Sequence, residues 1–223
     1  MATSSPAGST APATSGAVAT AASELESRAE RIETIVNVPC QVVVASGSGS
    51  RAQTIARTAT ETGCDLITVP YETENGGLAS DIRELFQRDT DVLVHRSYDG
   101  RARWSRVLVP VRRASDVAHA MIDFATRLTG DAVSVCHCID SESERRNAEE
   151  MLANLAETAD GRVETRVARD DIASFLEENA SRFDLVVLGS SGDRSTPSRF
   201  LSPPTYARLG ELETDVAILD RNY

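Results

Sequence analysis

Residues 183–192 read FDLVVLGSSG: an acidic residue, four apolar residues, then a turn of glycine and serine. A short unbroken apolar run that ends in such a turn marks a strand buried on both faces of a parallel sheet. The run has an upstream echo. Residues 64–70 read CDLITVP and lead through a polar stretch and a short helical pattern to TDVLVHRSY at 90–98. The later copy leads through a longer Gly/Ser-rich loop and another helical pattern to TDVAILDRNY at 214–223. Self-similarity of this kind divides the chain into two related α/β units. Their strands agree and their loops differ.

Outward from this stretch, strand and helix patterns alternate from residue 106 to the end. Apolar runs at 107–111, 132–139, 163–169, 185–188 and 216–219 read as five strands. Between them, Val117, Met121, Phe124, Ala125 and Leu128 share one helix face, as do Ala148, Met151, Leu152 and Leu155. The Ser141–Glu144 spacing has capping-box form, and Asp170 or Asp171 opens the next helix. The expected fold is α/β: an open, parallel, five-stranded sheet with helices on both faces and right-handed crossovers, plus a truncated second copy. The copy covers 23–98, with a helix at 23–37, a strand at 41–45, a helix at 51–62, a strand at 66–69, a helix at 78–87 and a strand at 92–94. Its opening strand-helix-strand is missing. The expected organisation is a disordered Ala/Ser/Thr/Pro tail at 1–22, an incomplete unit at 23–98, a linker at 99–105 and a complete domain at 104–223.

The 223 residues include 23 basic ones, all arginine, against 34 acidic ones, a net charge of −11. An acidic surface disfavours nucleic-acid backbone and anionic membrane as partners and favours solubility at high salt, as in halophile-like proteins. No apolar run reaches membrane-spanning length, and the tail lacks the charge and apolar core of a signal peptide. A cytoplasmic location is expected. The four cysteines, at 40, 64, 136 and 138, lie in or beside expected strands and read as buried thiols in a reducing compartment. Cys136-His137-Cys138 puts both thiols on one strand face and the imidazole on the other, so no metal site is expected there.

In open parallel sheets ligands sit at the carboxyl ends of strands, where strand order reverses. Pro110 and Arg112, at the end of the first strand, reach that edge, as does the loop Gly189-Ser-Ser-Gly192-Asp-Arg194 that continues to Ser202-Pro203. Its glycines let backbone approach an anion, and a helix starting near Ser202 would aim free N–H groups there. This loop, the VLVPV run at 107–111 and the terminal DVAILDR resemble the universal stress protein family. Nucleotide-binding members carry G-x-x-G, nine residues, then Gly-Ser or Gly-Thr. Here Gly189, Gly192 and Ser202-Pro203 occupy those positions, and Ser198-Arg199 falls where many members have such a pair. The resemblance covers 104–223 and, more weakly, 40–98. It implies an adenine-nucleotide alpha hydrolase-like fold and ATP or AMP as ligand, held by Pro110, Arg112, Gly189, Gly192, Arg194 and Ser202.

Three departures fall on the ligand contacts. Arg112-Arg113 stand where members place an adenosine-holding Asp, Pro203 offers no N–H, and Asp193 adds negative charge. A degenerate or altered nucleotide site is therefore expected, with no catalytic residues and no enzyme activity beyond, at most, slow ATP hydrolysis. In the first unit, Tyr71–Gly77 lacks the glycine spacing and adds two carboxylates. The family's dimerisation through last strands implies that 92–94 and 216–219 pair within the chain as a pseudo-dimer. A homodimer, or a membrane-transporter partner of the kind fused to related modules, are the further partners the resemblance implies.

Overall fold

The computed structural model describes residues 15–45, 48–101, 103–190 and 208–221. They fall into two compact units, residues 1–48 and 49–223. In the first, helix α1 spans Ser15–Val36. It begins inside the stretch expected to be disordered, because its opening residues are rich in alanine, the strongest helix former. It stops where Asn37 takes a left-handed φ of 53°, its N–H bonded to the Glu33 carbonyl. Residues 41–45, expected as a strand, form none; Val43 and Val44 are exposed. A segment of strand composition becomes a strand only where its backbone groups pair with those of another strand.

The second unit is built on one seven-stranded sheet. Its elements in chain order are α2 (Arg51–Thr62), β1 (Leu66–Pro70), the short strands β2 (Thr73–Glu74) and β3 (Gly77–Leu78), α3 (Ser80–Leu85) and β4 (Asp91–Arg96). Then come β5 (Val107–Pro110), α4 (Asp116–Leu128), β6 (Val133–Cys138), α5 (Arg145–Thr158), β7 (Val163–Ala168), α6 (Ile172–Asn179), β8 (Leu185–Gly189) and β9 (Asp215–Asp220). Sheet order is β1-β4-β9-β8-β5-β6-β7. The five strands from β5 to β9 are mutually parallel, the arrangement expected of 104–223.

β4 and β9 pair antiparallel, from Val92 opposite Asp220 to Arg96 opposite Val216. Strands from either side of residues 99–105 thus share one sheet, joined by ladder hydrogen bonds that sequence periodicity does not report. Because β1 is parallel to β4, the carboxyl ends of β1 and β4 lie at the opposite margin of the sheet from those of β5–β9.

Strand alternation sorts the core into two layers. Val107, Val109, Leu185, Val187, Ala217 and Leu219 face α4 and α5, whereas Leu108, Val186, Leu188, Val216 and Ile218 face the side of α2, α3 and α6. Each fully buried Val, Leu or Ile stabilises by roughly 1.5–3 kcal/mol. Local signals hold the helix starts. Ser50 accepts from Gln53 N at 3.1 Å, Ser115 from Ala118 N at 3.3 Å, and Asp171 from Ala173 N and Ser174 N at 3.0 and 3.2 Å. Glu142–Glu144 form a 3₁₀ turn ahead of α5, with Ser141 Oγ donating to Glu144 Oε1 at 3.2 Å.

The linker is strapped to the sheet by two buried carboxylates. Asp184 accepts from the N–H groups of Ser105 and Arg106, both at 3.0 Å, and from the guanidiniums of Arg106 and Arg101. Asp215 accepts from Tyr98 N at 2.6 Å and Trp104 Nε1 at 2.8 Å.

Candidate ligand-binding site

Chain order puts the switch point between β5 and β8: the chain runs outward through β6 and β7, then returns on the other side of β5. Pairing of β5 with β8 covers only Val107–Leu185 and Leu108–Val186. By contrast β5 follows β6 as far as Pro110 opposite Cys136, and β8 follows β9 as far as Gly189 opposite Leu219. Pro110 explains the early stop. Val111 N–H bonds the Cys136 carbonyl on β6, so by alternation the N–H of position 110 would face β8, and proline has none. The sheet is therefore left unpaired between the carboxyl halves of β5 and β8, the crevice where such sheets bind ligands.

Of the residues expected to hold a nucleotide, the structure brings Pro110 and Gly189 to this crevice, and Arg112 follows β5 there as an exposed side chain. Gly192, Arg194 and Ser202 lie outside the described residues, as do Asp193, Ser198, Arg199 and Pro203. Gly189 is buried at the end of β8. A Cβ on it would come within 2.9 Å of Val117 Cγ1 and 3.2 Å of Met121 Sδ. The glycine is thus required for close packing of α4 on β8, a demand separate from any ligand. Gly189→Ala is expected to destabilise by about 1–3 kcal/mol in urea titration, the usual cost of overpacking; an unchanged midpoint would show that α4 yields freely.

Next to Gly189, Ser190 N–H bonds the Leu219 carbonyl at 3.0 Å, and its hydroxyl donates to Asp220 Oδ1. Asp220, only 5% exposed at the end of β9, is the site residue that sequence reasoning passed over. Its signal was present: an acidic residue closing the apolar run AILD. Arg221, beyond it, binds Asp91 across the antiparallel junction at 2.8 Å.

On the far side of β5, His137 Nδ1 lies 2.8 Å from the Val111 carbonyl and orients the turn that leads to Arg112. Cys136 and Cys138 share one strand face. Burial, then the neighbouring Cys138, pushes the Cys136 thiol up, and burial with Asp170 and Asp171 nearby pushes Cys138 up to about 11. Both stay protonated and are poor nucleophiles at neutral pH. Among the described residues no group of three or more His, Cys, Asp or Glu side chains is placed to hold a metal ion. None of the described helices is long and apolar enough to cross a membrane.

Residues 73–78, after β1, make a tight hairpin. β2 and β3 pair antiparallel around Asn75 and Gly76, both with positive φ (51° and 76°), as a primed turn requires. α3 follows, only six residues long.

No protein-family model and no curated protein matches the chain. Solved structures do match in fold. A universal stress protein from Archaeoglobus fulgidus DSM 4304 superposes with a TM-score of 0.64 at 17% identity, covering 93% of this chain and 78% of that one. A protein of unknown function from Pseudomonas aeruginosa PAO1 gives 0.59 at 18% identity over 95% and 79%. A Pseudomonas aeruginosa UCBPP-PA14 protein provisionally assigned as a universal stress protein gives 0.59 at 19% over 93% and 78%. The chain has the universal stress protein fold, a mostly parallel sheet flanked by helices.

Proposed function

We propose that the chain is a universal-stress-protein-like regulatory protein of the cytoplasm that acts by binding, with a nucleotide site altered from that of nucleotide-binding proteins of this fold. The observation that carries the reading is the β5–β8 crevice. It has the placement of a ligand site, yet exposed Arg112 follows β5 where an adenosine-holding Asp is expected, and a buried acid, Asp220, adjoins the start of the loop at Ser190. A carboxylate beside a phosphate cradle weakens anion binding unless a cation is added.

The rival reading, an ATP or AMP binder, draws on Gly189, on the Gly189–Gly192 spacing and on the N-terminus of α4 at the end of β5, whose dipole favours anions. Titration calorimetry with ATP and with AMP, at low and at multimolar salt, decides between them. No heat of binding is expected at either salt. Micromolar binding that disappears in Gly192→Asp would overturn the altered-site reading in favour of a nucleotide binder.

The antiparallel pairing of β4 with β9 supports a second element of the proposal. In this reading the incomplete first unit serves as a built-in partner, its last strand taking the role that a second protomer's has in a dimer formed through last strands.

A further inference from the structure

The two edges of the seven-stranded sheet are finished differently. β7 closes one edge and carries exposed Glu164 and Arg166 within its Val-Glu-Thr-Arg-Val-Ala sequence. Charges of this kind discourage edge-to-edge pairing. β1 closes the other edge and is Leu-Ile-Thr-Val-Pro, with no charge at all. Among the described residues it pairs only with β4. Ile67 and Val69 are buried against the core shared with α2 and α3, whereas Leu66, Thr68 and Pro70 are exposed, Leu66 at 44%.

Backbone alternation defines what this edge offers. Tyr71 N–H bonds the His95 carbonyl, so residues 67, 69 and 71 direct their backbone groups to β4, and residues 66, 68 and 70 direct theirs outward. We infer that β1 is a self-association edge, pairing antiparallel with β1 of a second copy about a two-fold axis at Thr68.

The outward row is self-complementary about that axis, as a two-fold interface demands. Thr68 faces its own counterpart, and each donates its N–H to the other's carbonyl. Leu66 donates to the carbonyl of Pro70 in the second copy, and the symmetric bond forms in return. The side chains of Leu66, Thr68 and Pro70 lie on one face, so Leu66 covers Pro70 across the pair. Proline ends the ladder, because position 70 has no N–H to return. That limit suits a short self-pairing and excludes an extended partner running on past Pro70.

Just outside the paired row lie Asp65 and Glu72, the latter 3.6 Å from Arg51. The copies, each at −11, repel one another. Association is therefore dependent on concentration and strengthened by salt.

Sedimentation equilibrium of the full chain with Cys40→Ser and Cys64→Ser, which removes the two exposed thiols, tests this over a range of concentration and salt. A monomer–dimer equilibrium that tightens with salt is expected. Thr68→Pro removes an outward N–H without touching the β1–β4 ladder, and is expected to be monomeric with an unchanged melting temperature. Thr68→Cys in the same background is expected to form a covalent dimer under mild oxidation, since hydrogen-bonded antiparallel pairs hold Cα atoms about 5.5 Å apart, within disulfide reach. Glu164→Cys on β7 is expected to stay uncrosslinked. A monomer under all conditions, or a dimer that persists in Thr68→Pro and crosslinks at position 164 but not 68, would overturn the assignment. Should Thr68→Pro fail to fold, the paired cysteine variants decide alone.

Discussion

Asp215→Ala is expected to cost about 3 kcal/mol of folding stability at neutral pH, because it removes a buried carboxylate and leaves two part-buried donors, Tyr98 N and Trp104 Nε1, without their acceptor. Asp215 is 1% exposed and accepts from Tyr98 N and Trp104 Nε1, while His95 Nε2 lies 3.9 Å from its Oδ2. That His95 nitrogen is buried and has no hydrogen-bond partner among the described residues. Asp215→Asn keeps one acceptor oxygen and is expected to lose roughly half as much. Trp104→Phe keeps the ring against the core, removes the donor, and is expected to cost about 1 kcal/mol. Urea titration reads all three. A loss below about 1 kcal/mol for Asp215→Ala would show that the strap from β4 into the linker draws its strength elsewhere.

The second large effect depends on pH. Burial by itself would raise the Asp184 carboxyl pKa, but the Arg106 guanidinium and the N–H groups of Arg106 and Ser105 together hold it at about 2, below the ordinary 3.8. A carboxylate whose folded pKa is depressed adds stability above its unfolded pKa and loses it as pH falls toward the folded one. The wild type is thus expected to lose about 2 kcal/mol from this group as pH falls from about 4 to about 2. Asp184→Asn is expected to be less stable by a similar amount at pH 7, with the gap closing over that window. A gap that stays constant down to pH 2 would mean that packing, and not the charge, holds the linker.

Both acids belong to motifs plain in the sequence: FDLVV and TDVAIL each carry an aspartate just before an apolar run. Their repetition marked two strands of like kind. Their function did not show, because the groups they bind, Tyr98, Trp104, Ser105 and Arg106, lie 78 to 117 residues away along the chain and come together only when the strands assemble. The candidate site divides the same way. Pro110, Arg112 and Gly189 were legible as strand-end residues. That Pro110 ends the pairing with β8, and that Gly189 is required by Val117 and Met121, follow from neighbours no local pattern names.

Local periodicity determined the β/α alternation of residues 107–189, the helix start at Asp171, and the uncharged run of β1, because each is set by residues within a few positions of one another. Tertiary structure decided the rest. The 41–45 segment has strand composition but no ladder, whereas β4 and β9, far apart in the chain, share one. A strand becomes a strand only by exchanging backbone hydrogen bonds with another, and every residue type but proline offers the same ones. Which strands meet is therefore decided by the packing of the whole chain.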